Sequence, residues 1–232
     1  MNDLRTEEEQ IAAIKSWWAE NGTKLLAGVL VVALGYFGYQ GWQGKKEEDA
    51  IAAGDLYLQL QESVIASSAG IGSVSTLDLE RVRTIGYLAD QLQEEYAGNG
   101  YAVLGALAAA RAAADRDDYN EAISRLEWAL GAEEDVAGKQ LITYRMAIAK
   151  AATGANQEAL ALLAGADDSF AAIYAEARGD IYRSMGDMAS AAGEYESAVD
   201  LLLDGQLNYA PTLEFKLADV AAGLAALTAQ NQ

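Results

Sequence analysis

One stretch of the chain breaks sharply from the mixed pattern around it. Residues 25–44, LLAGVLVVALGYFGYQGWQG, carry no charge and lie between Lys24 and Lys45. A bilayer core about 30 Å thick needs about 20 mostly apolar helical residues, each rising about 1.5 Å. The run meets that length. Leu25, Leu26, Val29, Leu30, Val31, Val32, Leu34 and Phe37 supply its apolar weight. Each such residue favours insertion by about 0.3–0.6 kcal/mol, together about 2.4–4.8 kcal/mol, partly offset by the glycines and Gln40. Tyr36, Tyr39 and Trp42 follow at the far end, where amphipathic rings prefer the headgroup region. Two alternatives pass the same test: the core helix of a soluble protein and a cleaved signal peptide. No other segment is as apolar, which argues against the first. Against the second, the segment ahead of the run holds five acidic residues to three basic ones, and bulky residues from Tyr39 to Trp42 stand where a cleavage site needs small ones. The pattern predicts an uncleaved signal anchor over residues 25–44.

Ahead of it, Thr6 and Glu9 in TEEEQIAAIKSWWAE make a capping box. Ile11, Ile14, Trp17 and Trp18 then share one helical face, predicting a short amphipathic helix in the interface. Trp17, Trp18 and Trp42 are its candidate interfacial anchors, and Asn21-Gly22 is the expected stop before the span. Three basic residues precede the span and two follow closely. That bias is small, so the expectation of a cytoplasmic segment 1–24 and an exported domain 45–232 leans on it lightly. Within the span, Gly28, Gly35, Gly38 and Gly41 lie on or near one side. Small residues there let a partner helix approach closely. No strict G-x-x-x-G is present, and glycine is common in such helices anyway.

Beyond Lys46 the helical pattern continues to about residue 64, followed by a Ser/Gly-rich loop over 66–76 and a helix over about 77–96 that Gly98-Asn99-Gly100 breaks. From residue 101 three helix pairs superimpose, at about 103–136, 140–168 and 172–203. In the first, Ala110 precedes Ala122 and Ala129; in the second, Ala147 precedes Ala159 and Ala166; in the third, Gly179 precedes Ala191 and Ala198. The small residue lies 12 positions before the first alanine every time, the alanines stand 7 apart, and successive units are offset by 37 and 32 residues. Two antiparallel helices approach closely only where side chains are small, and Leu126, Leu163 and Tyr195 fill the space toward the next pair. Periods near 34 residues with these positions resemble tetratricopeptide repeats. The third unit, with Tyr182 and Gly186, fits best; the first two have Ala113 and Lys150 in place of Tyr182. A C-terminal helix over about 212–227 is expected to cap the stack.

One proline, abundant alanine and almost no alternating β-branched runs make the chain all-α: one transmembrane helix, then a tetratricopeptide-like α-solenoid. Residues 45–232 hold 13 basic and 30 acidic residues, a formal charge of −17. Such a surface repels phosphate backbones and anionic headgroups, so no nucleic acid is expected among its partners. With no His and no Cys, common zinc sites and Ser–His–Asp or Cys–His machinery are impossible. Carboxylate runs such as Glu47-Glu48-Asp49 and Glu133-Glu134-Asp135 read as solvated faces and first-turn charges. There is no phosphate loop and no calcium loop. No enzyme activity, cofactor or metal is expected.

The order of parts, IAAIKSWWAENGTKLLAGV leading into a glycine-bearing anchor and then repeats containing YAVLGALAAARAAADRDDYNEAISRLEWAL, resembles the YfgM family, the ancillary SecYEG translocon subunits of Gram-negative bacteria. The resemblance implies a single-span inner-membrane protein with a periplasmic repeat domain and no catalytic motif. It implies association with the SecYEG channel and with a membrane-anchored periplasmic folding factor, PpiD, and help to newly exported client chains on their way to chaperones. The concave face of such repeats is made by the first helix of each pair. The register places Leu104, Leu107, Arg111, Leu141, Tyr144, Ile148, Ile173, Asp180 and Arg183 there as candidate groove residues, unless the 77–96 helix or the C-terminal helix covers them. A self-assembling structural subunit of the envelope, without client handling, is the alternative.

Overall fold

The computed structural model describes residues 7–68 and 76–230; the capping box on Thr6 and most of the 66–76 loop lie outside them. Among the described residues every regular element is helical. The chain divides into two units, one ending at Ala52 and one running from Ala53 to Gln232.

The first unit is the N-terminal part of α1 (Glu7–Ser68). It holds the one helix stretch among the described residues that is long and apolar enough to cross a membrane, and that stretch buries nothing within the chain. A soluble core helix would be mostly buried, so the exposure of Leu30, Val31, Val32 and Phe37 favours the membrane reading. The expected stop at Asn21-Gly22 is not there: α1 passes through it. Asn21 Nδ2 donates to the Trp17 carbonyl one turn back, 3.1 Å away, and the Trp18 indole covers Gly22. A mid-helix glycine costs only about 1 kcal/mol, too little to end a helix that is apolar on one side of it and well formed on the other.

The second unit is a stack of helices. The remainder of α1 shares a core with α2 (Thr76–Glu95) and α3 (Gly100–Ala114), in which Leu60, Ile85, Ala89 and Leu92 are buried. Leu60 and Leu92 both reach Gly105, where a Cβ would meet Leu92 Cδ1 at 2.8 Å. Three pairs follow: α3 with α4 (Tyr119–Ala132), α5 (Val136–Ala152) with α6 (Asn156–Leu162), and α7 (Ala171–Ser184) with α8 (Met188–Asp200). A 3-10 segment, Asp204–Tyr209, leads into α9 (Ala210–Gln230), which packs on α8 through Leu213, Leu217 and Val220.

The turn inside each pair repeats as faithfully as the core. Asp117, Gly154 and Gly186 have φ of 62°, 85° and 81°, and they keep the same 37- and 32-residue offsets as Ala110, Ala147 and Gly179. The next residue is the N-cap of the second helix. The Asp118 and Asp187 carboxylates accept from the backbone N–H of Glu121 and Ser190, whereas Ala155 has no side chain to do so.

The small residues sit where the two helices of a pair meet. Ala110, Ala122, Ala129, Ala147, Ala159, Gly179, Ala191 and Ala198 are buried, as are Leu126, Leu163 and Tyr195 between them. Tyr182 is half-buried beside Ala191 and Tyr195. Ala166 departs from the expected pattern: α6 stops at Leu162 and Ala166 is exposed beyond it. This second helix begins in register after Ala155 but stops early, ahead of Gly165 and Asp167-Asp168. The Arg178 guanidinium on α7 then donates to the free Leu163 carbonyl at 2.8 Å, satisfying one of the carbonyls a helix end leaves orphaned.

Candidate functional site

The first helices of the pairs line two hollows. The smaller, about 240 Å³, lies between α3 and α5 and is walled by Leu107, Ala110, Leu126, Ile148 and Ala149, with Arg111 and Arg145 at its edge. Arg111 is held only loosely by Asp115, at 3.7 Å on the surface.

The larger, about 570 Å³, lies among α5, α7, the 3-10 segment and α9. Tyr144, Ile173, Leu202, Tyr209 and Leu213 form its apolar walls, and Glu176, Asp180 and Lys216 its charged part. The Lys216 ammonium reaches Glu176 Oε1 and both oxygens of Asp180, each at 2.7 Å. Tyr209 donates its hydroxyl to Glu176 Oε1 at 3.0 Å, and Tyr195 donates to Asp180 Oδ1 at 2.7 Å. Glu176 is the one charged residue buried among the described residues, 6% exposed; its paired cation and tyrosine donor are what such burial requires. The surroundings tune the titrating groups accordingly. Burial, then the Asp180 carboxylate, pushes the Tyr195 hydroxyl well above the ordinary tyrosine range. Burial, then Glu176, raises Tyr209, and burial with the carboxylates of Glu176 and Asp180 raises Tyr144. Burial alone would lower the Lys216 ammonium, but its bonds to Asp180 and Glu176 outweigh that and raise it. The hollow is thus lined by two carboxylates and one ammonium.

Of the groove residues read from the register, Leu107, Arg111 and Ile148 line the smaller hollow, and Tyr144, Ile173 and Asp180 line the larger. Leu104 is exposed and Leu141 half-buried, in neither. Arg183 is turned to α9, where it pairs with Asp219 at 2.6 Å. Glu176, not among the expected groove residues, occupies the same register position as Leu107 and Tyr144; a carboxylate in place of two apolar residues is the signal that marks it. Lys216 and Tyr209 come from outside the repeats and had none. In the first unit, Gly28, Gly35, Gly38 and Gly41 have no side chain near the place a Cβ would take. Trp17, Trp18 and Trp42 are exposed; Trp42 lies tilted beside Tyr39 and under the Lys46 ammonium, 4.5 Å from the ring centre.

A family model described as a tetratricopeptide repeat-like domain matches residues 15–222. Three curated relatives carry the name "Ancillary SecYEG translocon subunit". The chain is 27% identical to the one from Haemophilus influenzae, covering 83% of this chain and 88% of that protein. It is 26% identical to the Escherichia coli protein, covering 86% and 90%, and 24% identical to that of Neisseria gonorrhoeae, covering 84% and 88%. No solved structure matches. With stacked helix pairs on a fixed register and a family model spanning most of its length, the chain belongs to the tetratricopeptide repeat-like domain family, and it is similar to ancillary SecYEG translocon subunits.

Proposed function

We propose that this chain is a non-catalytic interaction protein of the SecYEG translocon. The observation that carries the reading is coverage: relatives named for that role align over 83–86% of this chain and 88–90% of their own length, so the likeness takes in both units. In this reading residues 1–24 are cytoplasmic, residues 25–44 span the bacterial inner membrane once, and residues 45–232 are periplasmic. Trp17, Trp18 and Trp42 would set its depth at the two interfaces. Gly28, Gly35, Gly38 and Gly41 would meet a channel helix, since this glycine side is left open by the chain itself. The hollows on α3, α5 and α7 would receive segments of newly exported clients, or of a PpiD-like membrane-anchored folding factor that takes them onward.

The test is purification of the intact protein from native membranes in mild detergent, with mass spectrometry of what accompanies it. Channel subunits should accompany the wild type and be lost from a Gly28→Leu, Gly35→Leu, Gly38→Leu variant that still inserts and keeps its helicity. Recovery of the chain alone, as a defined oligomer, would refute the reading and favour a self-assembling structural subunit.

A further inference from the structure

The larger hollow is lined by more acid than base: Glu176 and Asp180 against Lys216. Lys216 spends its ammonium on Glu176 Oε1 and on Asp180, and Tyr209 also donates to Glu176 Oε1. Both of these contacts with Glu176 fall on one of its oxygens, and its side chain is only 8% exposed. Asp180 stands at the open side with its side chain 48% exposed. Two carboxylates share one cation, and the domain around them carries a further excess of acid, which draws cations from a distance. A guanidinium or ammonium from outside would balance the second carboxylate, and charge-assisted bonds of this kind are the strong ones. The apolar walls from Tyr144, Ile173, Leu202 and Leu213 suit the stem of that side chain and an apolar neighbour. The volume fits one or two side chains rather than a folded partner.

We infer that this hollow binds a basic residue of an extended, unfolded polypeptide, flanked by apolar residues, with Glu176 and Asp180 receiving its cation. The inference rests on the client-handling reading above and adds a sequence preference to it. The smaller hollow, edged by Arg111 and Arg145, has no carboxylate among its lining residues, so the preference belongs to the α7 end of the domain.

The experiment uses the intact protein in detergent at physiological salt and fluorescence anisotropy of labelled peptides. The probes are a flexible Gly/Ser peptide carrying Leu-Leu-Arg-Leu-Leu and the same peptide with citrulline or Glu in place of Arg. The Arg probe should bind about tenfold or more tightly than the Glu probe. The E176Q/D180N variant should reduce that ratio to about two or less while still binding the citrulline probe. I173K, which places a cation on the wall of the hollow, should weaken the Arg probe specifically. E196Q/D200N removes the same charge from the exposed face of α8 and should leave the ratio unchanged. Helicity of each variant is checked by circular dichroism. Equal binding of the three probes by the wild type, no binding at all, or an E176Q/D180N protein that keeps its full Arg preference each overturns the inference. The outcome is separable from the translocon reading: a wild type that shows no preference but retains channel subunits loses only the inference, and a chain that prefers Arg but purifies alone loses only the translocon.

Discussion

Gly179 is the position where the repeat packing can be tested most directly. In the third pair one edge of the Tyr195 ring lies against Gly179, and a Cβ on residue 179 would stand 2.6 and 2.7 Å from ring carbons Cε1 and Cδ1. Carbon atoms pack best at about 3.5–4.0 Å, so the ring would have to retreat by about 1 Å. It has little room: Tyr195 is fully buried, and its hydroxyl is tied to Asp180. Overpacking of this kind costs about 1–3 kcal/mol. Replacing a mid-helix glycine by alanine returns about 1 kcal/mol of helix propensity, so G179A alone would give an ambiguous net change. Gly193 removes the ambiguity. It lies inside α8, exposed, with nothing near the place of its Cβ, and G193A gains the same propensity without the clash. The two variants should therefore differ by about 1–3 kcal/mol, or about 2–12 °C in thermal midpoint for a domain of this size. The assay is thermal unfolding of the full chain in detergent, followed by helical circular dichroism. A second variant, G179A/Y195L, should recover much of the loss, because a smaller side chain then meets the new methyl group. G179A melting with or above G193A would show that the ring does not pack on Gly179 and would refute the close-approach account of the repeat.

Three further outcomes follow from the same geometry. Ala155 has φ −77° and ψ 51°, near the −84° and 67° of Asp118 and the −82° and 77° of Asp187, so A155D should cap α6 on the Glu158 N–H and stabilise the domain by about 1 kcal/mol; unchanged or faster amide exchange in 156–163 would contradict it. K216M should leave the buried Glu176 carboxylate without its cation and cost about 1–3 kcal/mol, and K216M/E176Q should recover more than half of that; additive losses in denaturant midpoints would show that the two are not coupled. Tyr144, Tyr174, Tyr195, Tyr209 and Lys216 all hold their protons more tightly when folded. Their contribution is therefore complete below the ordinary tyrosine value of about 10 and is lost as pH rises above it. The thermal midpoint should fall between about pH 9 and 11, less steeply in Y195F/Y209F; an equal slope in that variant would assign the loss to other groups.

What could be read from the residues alone depended on how local its cause was. The apolar run at 25–44 and the 12-residue offset between the small residues of each pair are local patterns, and both lie where the physics requires: exposed in the first unit, buried between paired helices in the second. Errors came where a local signal was outweighed. Asn-Gly is a stop signal, yet Asn21 satisfies a carbonyl within the helix instead. An alanine at the repeat position is not enough to extend a helix, and Ala166 is left outside α6 because the helix ends at Leu162, ahead of Gly165 and Asp167-Asp168.

The charged hollow was out of reach for a different reason. Its α7 half was legible in principle, because Glu176 and Asp180 follow Leu107 and Arg111 at the repeat offsets. Its other half comes from Tyr209 and Lys216, 33 and 36 residues away from their partners and outside any repeat. The repeat register fixes what each pair contributes to its neighbours, but not how a terminal helix meets the last pair once. That helix does more than cover the end of the stack. By bringing one cation to two carboxylates it makes Glu176 tolerable where it is buried, and it leaves the hollow one positive charge short. A capping element that stabilises a site without neutralising it turns the end of the repeat stack into a place with a preference for charge, which the alanine-lined interiors of the other pairs lack.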